Sequence, residues 1–134
     1  MGYDIHITRK ENWFDEEGPQ ISLEEWTALI SRDPELRLDG FAEASLGDGS
    51  VLRVENPSMA VWISHPEHGK LDGMAWFWLS QDNIVAKNPD DDTIKKMWRM
   101  AQALSARLQG DEGEQYDSEA KMIRALPESK EADQ

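Results

Sequence analysis

The sequence predicts an α+β fold: an antiparallel meander of about five or six strands packed with two helices, followed by an acidic C-terminal tail. Three observations lead there. Short strand-like runs fill the middle of the chain and are joined by tight turns. Two amphipathic segments, one on each side of those runs, carry their own capping residues. Six Trp stand in a chain of 134 residues with 27 acidic and 14 basic side chains, net −13. Disordered acidic chains are poor in aromatics, so a packed body is expected.

The elements follow in order. Tyr3 to Arg9 alternates, with Tyr3, Ile5 and Ile7 on one side and Asp4, His6 and Thr8 on the other. That pattern predicts a strand with one buried face. The first helix is signalled by Ser22 as N-cap and Glu25 three positions later, a capping box, with Ile21 and Trp26 placed as a hydrophobic staple. Trp26, Leu29 and Ile30 form its apolar stripe, and Pro34 stops it.

The middle reads as β. Leu38–Ala44 and Val51–Glu55 flank Gly47-Asp48-Gly49, a hairpin turn that lacks the glycine spacing of a phosphate loop. Met59–His65 and Met74–Ser80 follow, separated by a polar turn over Pro66–Gly73. Gln81-Asp82-Asn83 then turns the chain into Ile84–Lys87. The second helix is expected to be capped by Asn88, with Pro89 as its first residue and Asp90, Asp91 and Asp92 in its first turn. Ile94, Met97, Trp98, Ala101, Leu104 and Leu108 recur at helical spacing, and Gly110 is placed to end the helix. One domain over 1–110 is expected. Residues 111–134, with eight acidic and three basic side chains, read as a mobile tail.

Composition narrows the function classes. A chain without Cys forms no disulfide and offers no thiolate nucleophile. Met1-Gly2-Tyr3-Asp4-Ile5-His6 has neither the basic nor the apolar part of a signal peptide. No apolar run approaches the roughly 20 residues that span a bilayer, and the expected compartment is the cytoplasm. The negative charge disfavours nucleic acid and anionic membranes and favours a basic protein partner.

Candidate chemistry is sparse. Asp4 and His6 share a strand face, a pairing that can orient an imidazole as general base, with Thr8 or Ser64 as the hydroxyl in reach. His65-Pro66-Glu67-His68 brings two imidazoles and a carboxylate together, but Pro66 and Gly69 force a turn where the hydrolytic zinc pattern needs a regular helix. Consecutive helical residues point about 100° apart, so Asp90, Asp91 and Asp92 do not converge on one ion. No metal, cofactor or catalytic set is assigned. Trp62, Trp76 and Trp78 lie on neighbouring strands and would make an aromatic patch if they share an uncovered face.

Tyr3-Asp4-Ile5-His6-Ile7-Thr8-Arg9, Ile21-Ser22-Leu23-Glu24-Glu25-Trp26, Asp33-Pro34-Glu35-Leu36-Arg37 and Gln109-Gly110-Asp111-Glu112-Gly113-Glu114 together resemble a group of small, acidic bacterial cytosolic proteins, mostly uncharacterised. The resemblance runs to about Tyr116 and brings no catalytic residues with it. In size and acidity the chain is also similar to immunity proteins, which neutralise toxins passed between bacterial cells. That similarity implies docking on a basic toxin by surface carboxylates such as Asp90, Asp91 and Asp92, with Trp62, Trp76 or Trp78 as anchors. The expectation is therefore a non-enzymatic binding protein. A small enzyme using Asp4, His6, His65 and His68, and a homodimer joined through its Trp face, are the two alternatives.

Overall fold

The computed structural model describes residues 3–66, 68 and 75–123. Its elements in chain order are β1 Asp4–Thr8, α1 Leu23–Arg32, β2 Leu36–Leu38, β3 Phe41–Ser45, β4 Val51–Glu55, β5 Ala60–Trp62, β6 Trp76–Ser80, β7 Asn83–Lys87, α2 Asp91–Ala103, β8 Arg107–Gly110, β9 Gln115–Tyr116 and β10 Met122–Ile123. Eight strands form one antiparallel sheet in the order β10-β9-β8-β1-β7-β6-β5-β2, and β3 with β4 makes a separate ribbon. The class is α+β, with β5, β6 and β7 as an antiparallel meander within the sheet.

The register separates the two faces of the sheet. Ile5 opposes Ala86, Ile7 opposes Ile84 and Leu108, and Ala60 opposes Phe77, so these side chains share one face. They meet Trp26, Leu29 and Ile30 of α1 and Ile94, Met97, Met100 and Ala101 of α2 in one buried cluster. Helix α1 starts as its sequence demands. Ser22 Oγ accepts from the N–H of Glu25, and the Glu25 carboxylate accepts from the N–H of Ser22. Ile21 and Trp26 are both buried beneath that cap.

Four expectations are corrected. Strand β1 is buried on both faces, because the helices cover the Ile5 and Ile7 face and residues 10–15 cross the other. His6 and Thr8 are as enclosed as Ile5 and Ile7. Helix α2 is capped by Asp90, whose carboxylate accepts from the N–H of Thr93 at 2.9 Å; Asn88 instead stands at φ 49°, outside the helix.

The same helix ends at Ala103, well before Gly110. Ser105 turns left-handed at φ 54°, and Leu108 enters the core from strand β8. Both a four-residue helical step and strand alternation would place Leu108 inward, so periodicity could not separate them. The sheet accordingly has eight strands, and the expected boundary at 110 falls inside it. Residues Gln115–Tyr116 and Met122–Ile123 extend the sheet beyond β8. The tail from 124 onward and most of the turn over Pro66–Gly73 lie outside the described residues.

Candidate functional site

Three places hold the side chains that sequence reasoning singled out. The first surrounds His6 on the sheet face opposite the core. Strand β1 aims the imidazole outward, and the loop after β1 lays Trp13 over it. The two rings stack at 3.8 Å with a 4° interplanar angle. The carboxylate beside His6 is Asp111, with His6 Nε2 2.9 Å from Asp111 Oδ1. The backbone N–H of Asp4 donates to the other oxygen of Asp111, and Trp13 Nε1–H donates to its carbonyl. An Nε2–H tautomer satisfies this geometry and leaves Nδ1 as an acceptor, buried and without a partner among the described residues. Thr8 Oγ1 accepts from the N–H of Lys10, and Ser64 is exposed beyond β5. Neither pairs with His6.

The rest of that loop is pinned by polar side chains. Lys10, 3 % exposed, donates to the carbonyls of Asp15 and Gln81. Gln109 accepts from the N–H of Trp13 and donates to the carbonyl of Glu11. Asn83 donates to the carbonyl of Trp13. These contacts also hold the two-residue turn Gln81-Asp82, where both residues stand at positive φ as a hairpin of this length requires. The His6 centre is thus a fastening that ties the N-terminal loop and Asp111 to the sheet. Asp111→Ala is expected to cost about 1–2 kcal/mol, since it strips an acceptor from one imidazole and one backbone N–H at a half-buried position. Urea unfolding, with faster exchange of the Asp4 amide, would register the loss.

The neighbouring end of the core face carries phenols. Tyr3 donates to Glu114, and Tyr116 shares the same carboxylate. Burial, then the hydrogen bond and charge of Glu114, push the Tyr3 phenol upward; burial and Glu114 do the same to Tyr116. Both stay protonated donors at neutral pH. A Cβ at Gly110 would meet the Glu114 carboxylate and the Tyr3 ring, so those side chains would have to shift to admit one.

The second place is the junction of β5 and α2. His65 is buried, lies edge-on to Trp62, and has Nε2 2.8 Å from Asp90 Oδ2. Burial alone would raise the Asp90 carboxyl, but Thr93 and His65 outweigh it and hold the group below its usual range. His65 and His68 do not join His6: the register seats His6 on β1, while His65 follows β5 three strands away. Among the described residues no group of three or more His, Asp or Glu is arranged to hold a metal ion.

The third place is the aromatic and acidic surface. Trp62 points into the core and is 6 % exposed, and its indole N–H donates to Glu35. Val61 opposes Trp76, so Trp62 faces the other way from Trp76 and Trp78. The three-Trp patch therefore reduces to Trp76 and Trp78, both half-buried on the sheet face away from the helices. Phe41 of β3 closes on Trp76 with ring centroids 6.1 Å apart, and the Arg53 guanidinium sits 3.8 Å over the Phe41 ring. Of the acidic run, Asp91 and Asp92 are exposed and free for contact, while Asp90 is engaged as a cap.

The expected hairpin around Gly47-Asp48-Gly49 forms, but its exposure is not readable in the sequence. The ribbon turns through Gly49 at φ 88° and exposes every residue of β4. Phe41, Glu43, Arg53 and Glu55 share one of its faces, where Glu43 and Glu55 pair with Arg53. Ala42, Leu52 and Val54 share the other, and Leu52 and Val54 are each 49 % exposed. The alternation of Leu52 and Val54 with charged residues looks like an ordinary half-buried strand, and only the fold reveals that the apolar side faces solvent. No described helix is long and apolar enough to cross a membrane. Comparison with protein-family models, with curated proteins and with solved structures found no match.

Proposed function

We propose that this chain is a non-enzymatic cytoplasmic binding domain for a basic protein, most concretely an immunity protein that neutralises a basic toxin by occluding its surface. The observation that carries the reading is the pairing of a net charge of −13 with exposed apolar side chains on a ribbon outside the main sheet. Charge speeds encounter with a cationic partner, and apolar contact slows release. Asp91 and Asp92 supply accessible carboxylates, and Trp76 and Trp78 supply aromatic surface beside the ribbon.

The enzyme alternative draws less support. His6 and His65 are each enclosed by aromatic neighbours and engaged with one carboxylate, and they sit on different parts of the sheet. Self-association must overcome repulsion between two strongly anionic bodies.

The test is affinity capture from a lysate of cells that make the protein, with mild cross-linking and washes at low and high salt. A dominant basic protein, held at low salt and released at high salt, is the expected result. Recovery of acidic partners, or of the bait alone, would overturn the reading.

A further inference from the structure

We infer that the β3–β4 ribbon is the docking element, and that its occupant is an extended, basic segment of the partner protein added as a third strand beside β4. The inference rests on the binding function proposed above and assigns its site.

The backbone supplies the first argument. The Asn56 N–H donates to the Gly40 carbonyl and the Leu46 N–H donates to the Ser50 carbonyl, which fixes the phase of the ladder. Antiparallel bonding alternates, so Leu52 and Val54 face β3 and the N–H and C=O groups of Val51, Arg53 and Glu55 face away from it. Among the described residues β4 pairs with β3 alone. Exposed strand edges are normally blunted by Pro, Lys, bulges or covering loops. Strand β4 has no Pro or Lys, and its one cation, Arg53, is turned onto Phe41 and paired with Glu43 and Glu55. An edge unpaired among the described residues, beside an outward apolar face, is the arrangement that strand addition uses, with main-chain bonds for affinity and alternate side chains for specificity.

Charge selects the occupant. Residues 41–55 hold Glu43, Asp48 and Glu55 against Arg53 alone. A second copy of the chain would bring the same excess of carboxylates to the edge. A strand alternating basic and apolar residues would set its apolar side chains beside Leu52 and Val54 and its cations on the face that carries Glu55 and, one strand further in, Glu43, with Arg53 already held between those two carboxylates.

The experiment uses the full chain, labelled with ¹⁵N, and two synthetic strand peptides, one alternating Val with Lys and the other Val with Glu. Amide exchange and chemical shifts are followed residue by residue. With the Lys peptide at about ten times its Kd, exchange at the Val51, Arg53 and Glu55 amides should slow about tenfold, as mass action requires. The Glu peptide should leave them unchanged. The Leu52→Ser/Val54→Ser double variant should weaken the Lys peptide without altering the Asp91 and Asp92 signals, and Arg53→Pro, which removes one edge donor, should weaken it separately.

Shifts confined to Asp91, Asp92, Trp76 and Trp78 would overturn the ribbon assignment while leaving the basic-partner reading intact. No response to either peptide would also overturn the assignment, and lysate capture would decide the broader reading on its own. Protection of the β4 amides that grows with protein concentration and needs no peptide would name a second copy as occupant and overturn the basic segment.

Discussion

Trp26→Ala is expected to remove about 3–5 kcal/mol of folding stability, the largest loss of any single core substitution here. The indole is wholly enclosed and stands where α1 meets the sheet. It also donates from Nε1 to the Ser58 carbonyl at 2.7 Å. Ser58 Oγ accepts from the Leu79 N–H and donates to Asn56. Trp26 therefore fastens α1 to the corner before β5 and, through it, to β6. Truncation opens a cavity and also strands a buried carbonyl, two costs that add. Against a typical total of about 5–15 kcal/mol, much of the fold's margin goes. Trp26→Phe separates the two terms: it retains most of the packing but still strands the Ser58 carbonyl, so a loss of about 1–3 kcal/mol is expected. Urea unfolding of both variants checks this. A Trp26→Ala loss below ~1 kcal/mol would show that the α1 seat carries no such weight.

Lys96→Met should cost about 2–4 kcal/mol at neutral pH, and the cost should shrink on acidification. Lys96 is 4 % exposed, and its ammonium lies 2.6 Å from Asp33 and 3.0 Å from Glu35. Burial alone would raise the Asp33 carboxyl, but the hydrogen bonds from Lys96 and from the Glu35 backbone reverse this and hold it low. Lys96 and then the Trp62 indole lower Glu35 in the same way. The magnitude lies below that of a fully buried pair because both carboxylates retain some exposure.

The sign follows from linkage. Groups with depressed folded pKa values contribute stability that is present above the ordinary carboxylate range and lost as pH falls through the folded values. Wild-type stability should decline below about pH 4 in part through these two groups. In Lys96→Met two neighbouring carboxylates face each other without their cation, so protonation relieves them. The variant's deficit should narrow between pH 7 and the carboxylate range. A deficit that stays constant with pH would mean that Lys96 acts through its methylene packing alone.

Local signals carried the fold a long way. The α1 cap, its staple, the Gly47-Asp48-Gly49 turn and the Gln81-Asp82 turn are each written in a few adjacent residues, and each forms as its chemistry requires. What escaped depends on distant partners. Asp111 lies 105 positions from His6 in sequence, and Asp4 was the nearer carboxylate in view. Leu108 satisfied both helical and strand periodicity, so only the left-handed Ser105 distinguishes them. Residues after Gly110 have the composition of a tail, yet Asp111 and Glu114 are bonded to the sheet by their side chains, and Gln115–Tyr116 and Met122–Ile123 extend it.

The candidate surface was half legible. Charge and aromatic content pointed to contact, but strand register, which composition does not encode, sends Trp62 inward and leaves Trp76 and Trp78 outside. The outward turn of the Leu52 and Val54 face was invisible for the same reason. Alternation tells which residues share a side, not which side meets water.

The proposed function is the binding of a basic protein by an anionic surface. Its most direct test is the association rate of the captured partner, measured by stopped flow from low to high salt with wild type and with Asp91→Lys/Asp92→Lys. The wild-type rate is expected to fall about tenfold or more as salt screens the attraction, with a smaller salt dependence in the variant. An association rate indifferent to salt in both proteins would contradict it.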